Sequence, residues 1–531
     1  MYVVNIFRLG RTRAQLVSTV TTPPIAAAPS QCPSTGDNTS SAEYLPRSTT
    51  CSESLPRHVT IEKLSDNVLL KIFCHFLDAS PRHWPTLMHI CHKWRRIVFD
   101  SQRALRLQLV CTHEMPVLKA LDCFPTLSIV VQYGGSPALD PPALEDEENI
   151  VAALTHSDRI SSIHLTVTNS LLEKLSAIKG SFSELEDLIL LSRNGAQLAL
   201  PNTFQWGPRL RCLDLNRVTF PSLLPLLESS KNLVDLYLHK ALDPSCFPPE
   251  ALTNAFSGMV QLQSLSLHFP STSNYLASPL PSRELVVLPA LTRLNFQGTT
   301  EFLERLVARI DTPILGNIEV TFVEKSNFDL SQLCKFTTRI GMHKLPRRAD
   351  ILSSEHAVSI SLTRPGDSHC LKLRSFRKPF SDQLFVMARV LYQFSAFLHS
   401  VKVLRITAQR PLRQGNALYC ERWLEHINQA ITSFIGVKRL HVSGNLWNDI
   451  VCSLKLWERR TNSMLPALRE LHILQPGPHY SRLRETVVSF MVSRRLSYRP
   501  IVVDYEHLYH ISGLRGTSMY STIPSASATP R

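Results

Sequence analysis

A six-residue pattern, apolar-x-x-apolar-x-apolar, recurs from residue 160 onward and limits the fold more than any other feature of the chain. It reads Ile160-Ile163-Leu165, Leu185-Leu188-Leu190, Leu210-Leu213-Leu215, Leu233-Leu236-Leu238, Leu262-Leu265-Leu267, Leu291-Leu294-Phe296 and Leu315-Ile318-Val320. The central residues of these seven copies lie 25, 25, 23, 29, 29 and 24 positions apart. Three later copies, Val401-Leu404-Ile406, Val437-Leu440-Val442 and Leu468-Leu471-Ile473, are spaced by 36 and 31. The alternating end of each copy suits a short strand, and helical patterns such as SLLEKLSAIKG, EFLERLVARI, SDQLFVMARVLYQFSAFL and ERWLEHINQAITSFIG fall between them. Strand–helix alternation at this period predicts an α/β solenoid over 160–510, with a parallel sheet on its concave face and helices on the other. Ten strands at about 4.8 Å would give a binding surface about 45 Å long. Coverage is thin between 340 and 400, where Val358-Ile360-Leu362 alone alternates as a strand should.

The segment before the repeats has a different character. In LSDNVLLKIFCHFL, Leu64, Val68, Leu69, Ile72, Phe73, Phe76 and Leu77 make a wide apolar stripe on one helix face, with Ser65 or Asp66 placed to cap its start. After Pro81, a second helix is expected in PTLMHICHKWRRIVFD, with Pro85 in its first turn and Leu87, Ile90, Cys91, Trp94, Ile97 and Val98 at helical spacing. This module, taken as 55–110, is too small to bury both stripes by itself, so a partner or the rest of the chain must cover one. Residues 1–54 are rich in Ser, Thr, Pro and Ala and are expected to form a disordered tail, as are 511–531. The stretch 111–159 reads as a connecting segment, with Glu145-Asp146-Glu147-Glu148 as an acidic linker and His113-Glu114 in a loop.

Charge and cysteine usage narrow the function classes. From Cys370 to Arg531 there are 23 Lys/Arg against 9 Asp/Glu, an excess that equals the whole chain's +14. Such a one-sided field bears on what docks there rather than on fold. Twelve cysteines are scattered without a C-x-x-C pair, which points to reduced thiols and a cytoplasmic or nuclear protein. No uncharged apolar run approaches the ~18 residues that span a bilayer, so no membrane role is expected. Glycine is scarce, 18 in 531 residues, which disfavours phosphate-binding glycine loops. The sequence has no G-x-x-x-x-G-K, G-x-S-x-G, H-E-x-x-H or G-x-G-x-x-G. His83, His89, Cys91 and His92 match no structural zinc spacing. A non-catalytic protein without cofactor or metal is the expectation.

Leu64 to Phe99 resembles an F-box, the helical module that joins a protein to SCF-type ubiquitin ligases. LSDNVLLKIFCHFL is similar to the family's opening Leu-Pro and apolar helix, and ICHKWRRIV to its closing Val-Cys-x-x-Trp-Arg segment. Ser65 stands where proline is usual, and Asn67 where an acidic residue is usual. ALRLQLVCTHEMPVLKALDCFPTLSIVV and VVSFMVSRRLSYRPIVVDYE resemble stretches of F-box proteins from mushroom-forming fungi, so the resemblance spans roughly residues 55 to 506. It implies an F-box followed by an irregular leucine-rich-repeat-like solenoid. Of the usual asparagine ladder only Asn445 is in place, with Arg193 and Val218 at other such positions. The resemblance further implies docking on a Skp-type adaptor, and through it on a cullin, by Leu64, Val68, Leu69, Ile72, Phe73, Leu77, Ile90 and Trp94.

The solenoid would then hold the target protein for ubiquitin-dependent degradation. Residues between the core positions face the open side: Asp187, Asp214, Asp235 and Tyr237 early, then Arg293, Asn295, Arg405, Arg439, His441 and His472. An acidic-to-basic gradient along this face suits an acidic or phosphorylated target at the basic end, with Arg293, Arg405, Arg439 and His441 as candidate contacts. Two alternatives remain at this level. One is an interaction scaffold outside a ligase; the other is nucleic-acid binding by the basic last third, which lacks any recognised motif.

Overall fold

The computed structural model describes residues 61–506, apart from 80–82, 103, 106, 113–116, 134–143, 179, 193–197, 201–204, 221, 241–246, 270–284, 324–328, 342–345, 355–356, 365–368, 377–387, 409–428, 430, 444–445, 447–464, 475–479 and 497–498. Both expected tails, His113-Glu114, Arg193, Asn445 and most of the helix expected over 421–436 lie outside the described residues. The chain divides into two units, residues 1–128 and 129–531. No helix among the described residues is long and apolar enough to cross a membrane.

The first unit is mainly helical: α1 (Asp66–Ala79), α2 (Trp84–Met88), α3 (His92–Asp100), β1 (Gln108–Cys111) and α4 (Val117–Cys123). Ser65 precedes α1, and its carbonyl accepts from the amides of Val68 and Leu69 at 3.0 Å each. Asp66, in the first turn, pairs with Lys93 at 3.4 Å and Arg96 at 3.0 Å, tying α1 to α3. Phe73 lies against Trp94 with ring centroids 4.6 Å apart, and Trp84 meets Phe124 edge-on at 5.3 Å. The single second helix expected from PTLMHICHKWRRIVFD is instead two. Cys91 is extended, and its sulfur accepts from the Trp94 amide at 3.5 Å, so it caps a new helix and breaks the old one.

The second unit is mixed α/β around a large, mostly parallel sheet. Its strands are β2 (Ser128–Tyr133), β3 (Ile160–Val167), β4 (Asp187–Ser192), β5 (Cys212–Asn216), β6 (Asp235–His239), β7 (Ser264–His268), β8 (Arg293–Gly298) and β9 (Asn317–Phe322). There follow β10 (Arg348–Ser353), β11 (Ala357–Thr363), β12 (His369–Phe376), β13 (Val403–Ala408), β14 (Arg439–Ser443), β15 (Glu470–Leu474) and β16 (Val502–Glu506). They lie in the order β2-β3-β4-β5-β6-β7-β8-β9-β12-β11-β10-β13-β14-β15-β16. Among the pairings from β2 to β16, only β12–β11 and β11–β10 are antiparallel.

The register follows from the repeated pattern. Ile163, Leu188, Leu213, Leu236, Leu265, Leu294 and Ile318 are successive partners across β3 to β9, and each is buried. Period-two alternation sends these residues to one face and their polar neighbours to the other. Helices between the strands add to the core: α5 (Leu144–Leu154), α6 (Asn169–Ala177), α7 (Leu223–Ser229), α8 (Pro249–Phe256), α9 (Thr300–Val307), α10 (Ser331–Arg339), α11 (Ser395–Leu398) and the last helix, α12 (Tyr480–Leu496). Phe302 of α9 packs on Phe269 at 4.2 Å and on Phe296 of β8 at 5.9 Å. Glu304 of the same helix accepts the amides of Gln332 and Leu333 at 2.6 and 2.9 Å, capping α10 from outside.

The acidic run expected as a linker is part of α5. Glu147 is buried and accepts from Thr168 and Ser170 at 2.9 Å each and from Lys174 at 2.9 Å. Those three contacts hold its carboxyl below the usual range although burial pushes it up. Glu147 is therefore a tie between α5 and the start of α6, not a solvated spacer. The thinly covered stretch 340–400 holds three strands, β10, β11 and β12, which enter the sheet as an antiparallel excursion.

Candidate interaction surfaces

The wide stripe of α1 splits into two rows four residues apart. Leu69, Phe73 and Leu77 turn inward with Trp94 and are buried. Val68, Ile72 and Phe76 form a second row that stays 43%, 41% and 42% exposed, and Ile90, in the break before α3, is 58% exposed. Leu64 is half-buried, and its carbonyl accepts from the Lys93 ammonium at 2.7 Å. The eight expected adaptor contacts thus have two different positions. Leu69, Phe73, Leu77 and Trp94 already belong to the unit's own core, while Val68, Ile72 and Ile90 are open. Phe76, absent from the expected contacts, extends the open row. Side chains at i, i+4 and i+8 lie along one side of a helix, which the sequence shows; which row faces out depends on where α3 packs.

Removing the rest of four such side chains from water would contribute about 1 kcal/mol each, since full burial is worth about 1.5–3 kcal/mol. Val68, Ile72 and Phe76 thus make a row of exposed large apolar side chains along one side of α1.

The outer face of the large sheet carries rows of polar side chains in register. On β4, β5 and β6, Asp187, Cys212 and Asp235 form one row, with Asp214 and Tyr237 in the next. Burial pushes the Asp214 carboxyl up to about 6, and its Oδ1 is enclosed without a hydrogen-bond partner. Burial, and then the three carboxylates, push the Cys212 thiol up to about 12, so it stays protonated and unreactive at neutral pH. Beyond Tyr237, His239 and His268 stack with centroids 3.9 Å apart, and both contact the Ser266 hydroxyl, at 3.0 and 3.5 Å. Burial holds His268 down near 4, so the pair is neutral at pH 7.

An Asp214→Asn substitution tests the cost of that enclosed charge. The folded carboxyl holds its proton up to about pH 6, against 3.8 in the unfolded chain, so its contribution favours folding below 3.8 and is lost as pH rises through 6. The variant should melt about 1–2 °C higher than the parent at pH 8 and no higher near pH 4. A gain of the same size at both pH values would show that charge is not the cause.

The four expected target contacts are not all together. Arg293, on β8, pairs with Asp235 at 3.6 Å in the acidic half of the face. Arg405, Arg439 and His441 are on β13 and β14, and β9, β12, β11 and β10 separate them from β8. The basic half is also less one-sided than composition suggests. Arg348 is bonded to Asp350 at 2.9 Å, Lys372 to Glu319 at 2.6 Å and Arg439 to Glu470 at 3.1 Å. His441 stacks on His472 at 4.4 Å, and burial, then His472 and the surrounding arginines, hold it down to about 4. Sequence reasoning missed Arg348 and Asp350 because β10 has no copy of the repeat to place them; Glu319 and Glu470 stand beside repeat positions on β9 and β15, but their pairing with Lys372 and Arg439 needs the strand order as well.

No protein-family model matches the chain, and no curated protein matches it.

Proposed function

We propose that the chain is the substrate-recognition subunit of an SCF-type ubiquitin ligase. Its first unit is an F-box that docks on a Skp-type adaptor, and its second is a leucine-rich-repeat-like solenoid that holds the target protein. One observation carries this reading. A helical module whose sequence resembles an F-box leaves Val68, Ile72, Phe76 and Ile90 open beside a core closed by Phe73 and Trp94. An apolar groove on the partner would bury that row and little else.

The ladder of Ile163, Leu188, Leu213, Leu236, Leu265, Leu294 and Ile318 supports the solenoid, since each copy of the repeat supplies one strand at one register. The chain itself needs no catalytic group for this role, because the conjugating enzyme arrives on the cullin. Nucleic-acid binding is the weaker alternative: Arg348, Lys372 and Arg439 already face carboxylates on the same or the adjoining strand, which lowers their gain from phosphate.

The test is co-purification of the full chain with a fungal Skp adaptor. A stable complex is expected. Failure of the intact, folded chain to hold the adaptor would reject the ligase role and leave a scaffold built on the sheet alone.

A further inference from the structure

On the outer face of β10, β13 and β14, two adjacent rows of residues bring three arginines together. Asp350, Arg405 and His441 are register partners across the three strands, and Arg348, Val403 and Arg439 form the row beside them. Arg405 therefore stands next to Val403 on its own strand, with Arg348 and Arg439 on either side of that valine. The flanking guanidiniums are matched. Arg348 donates to Asp350 through Nε and Nη2 at 3.0 and 2.9 Å, and Arg439 lies 3.1 Å from Glu470. Arg405 differs: its Nε is enclosed without a hydrogen-bond partner, and no carboxylate among the described residues pairs with it. The enclosed Nε is out of reach of a ligand, but a half-buried guanidinium without a counter-ion costs free energy that a carboxylate arriving at its outer nitrogens would offset.

We propose that Arg405, with Arg348 and Arg439 flanking Val403, anchors a glutamate or aspartate side chain of an acidic peptide. The inference rests on the target-holding role proposed above for the sheet and names the chemistry of what is held. Among the described residues, Arg405 is the guanidinium of these rows that has no carboxylate at salt-bridge distance, and a carboxylate supplies one charge with two acceptors that fit paired guanidinium N–H groups. A phosphate ester brings nearly two charges at neutral pH and would meet Asp350 and Glu470 within the same two rows. Val403 provides an apolar floor for the methylene stem of the incoming residue. His441 and His472, stacked beside Arg405, close the far side with imidazoles, and Asp504 lies beyond them, 3.5 Å from His472.

The experiment uses the full chain and fluorescein-labelled hexaglutamate, read by anisotropy at about 50 mM salt, where exposed charges remain only partly screened. Hexaglutamate should bind and hexaglutamine should not. Arg405→Gln should weaken hexaglutamate about tenfold or more, while Arg293→Gln, on β8, should change it less than about twofold. Arg405→Lys keeps the charge and loses the fork, so an intermediate loss is expected from it, and it serves if the glutamine variant does not fold. Equal binding by the Arg405 variants, no binding by the parent, or tighter binding of a phosphoserine peptide of equal length would each overturn the proposal. Adaptor binding is measured separately, so failure here leaves the F-box docking intact, and loss of that docking leaves this site standing.

Discussion

Val68→Asp combined with Ile72→Asp should leave the melting of the first unit nearly unchanged and reduce adaptor affinity by about 100-fold or more. Both side chains are more than two-fifths exposed, so the free protein loses little packing when they change. In a complex each would place a carboxylate inside an apolar groove, where an unpaired charge is strongly disfavoured. The inner row behaves in the opposite way. Phe73 is fully buried against Trp94, and Phe73→Ala should cost about 3–5 kcal/mol through lost burial and the cavity left behind. That is enough to unfold a module of this size, and it would abolish adaptor binding for a trivial reason. Substitution of Leu69 and Phe73 therefore cannot separate docking from folding, whereas the outer pair can. Near-ultraviolet circular dichroism of Trp84 and Trp94 should report the inner change and miss the outer one.

The second large effect is expected in the sheet. Phe296→Ala should destabilise the second unit by about 3–5 kcal/mol and lower its melting temperature by about 6–15 °C. Phe296 lies against the Phe269–Phe302 pair, with centroids 6.0 and 5.9 Å away, and all three rings are buried. The cluster joins β8, α9 and the residue after β7, so its loss loosens two successive repeats at once. Gly298 is part of the same arrangement: a Cβ there would sit 2.9 Å from the Phe296 ring, so glycine allows the ring its place. Phe376, at the end of β12 and 45% exposed, is the control, and its replacement by alanine should fall within about 0.5 kcal/mol of the parent. Thermal melts of the two variants would show the contrast; similar losses from both would mean that the ring cluster is not a core.

The ladder from β3 to β9 was legible because one local pattern repeats and period-two alternation fixes which residues face inward. Where the pattern stops, so did the reading. After Ile318 the next partner is Leu371 of β12, not Leu404, because three strands with two antiparallel pairings are inserted between β9 and β13. The strand HCLKLRSF alternates well, but nothing in its own sequence says that it joins a parallel array. The acidic run of α5 misled for a related reason. A carboxylate looks like a solvated spacer until Thr168, Ser170 and Lys174, more than twenty positions later, fold back on it. On the F-box-like module the apolar stripe was visible as a whole. Its division into an inner and an outer row was not, since that is decided by α3 through Trp94, Lys93 and Arg96. The polar face of the sheet shows the same limit. Arg405 and Arg439 are brought together by the sheet, but Arg293 belongs with Asp235, and the charge of Arg439 is matched by Glu470.

On the reading proposed here, the outer row of α1 is the adaptor-docking edge of a folded module. The most direct measurement is calorimetric titration of a fungal Skp adaptor into the full chain and into the Val68→Asp/Ile72→Asp variant, with the melting of both recorded. Tight binding by the parent, a loss of about 100-fold or more in the variant, and closely similar melting are expected. Unchanged affinity in a variant that remains folded would contradict that reading.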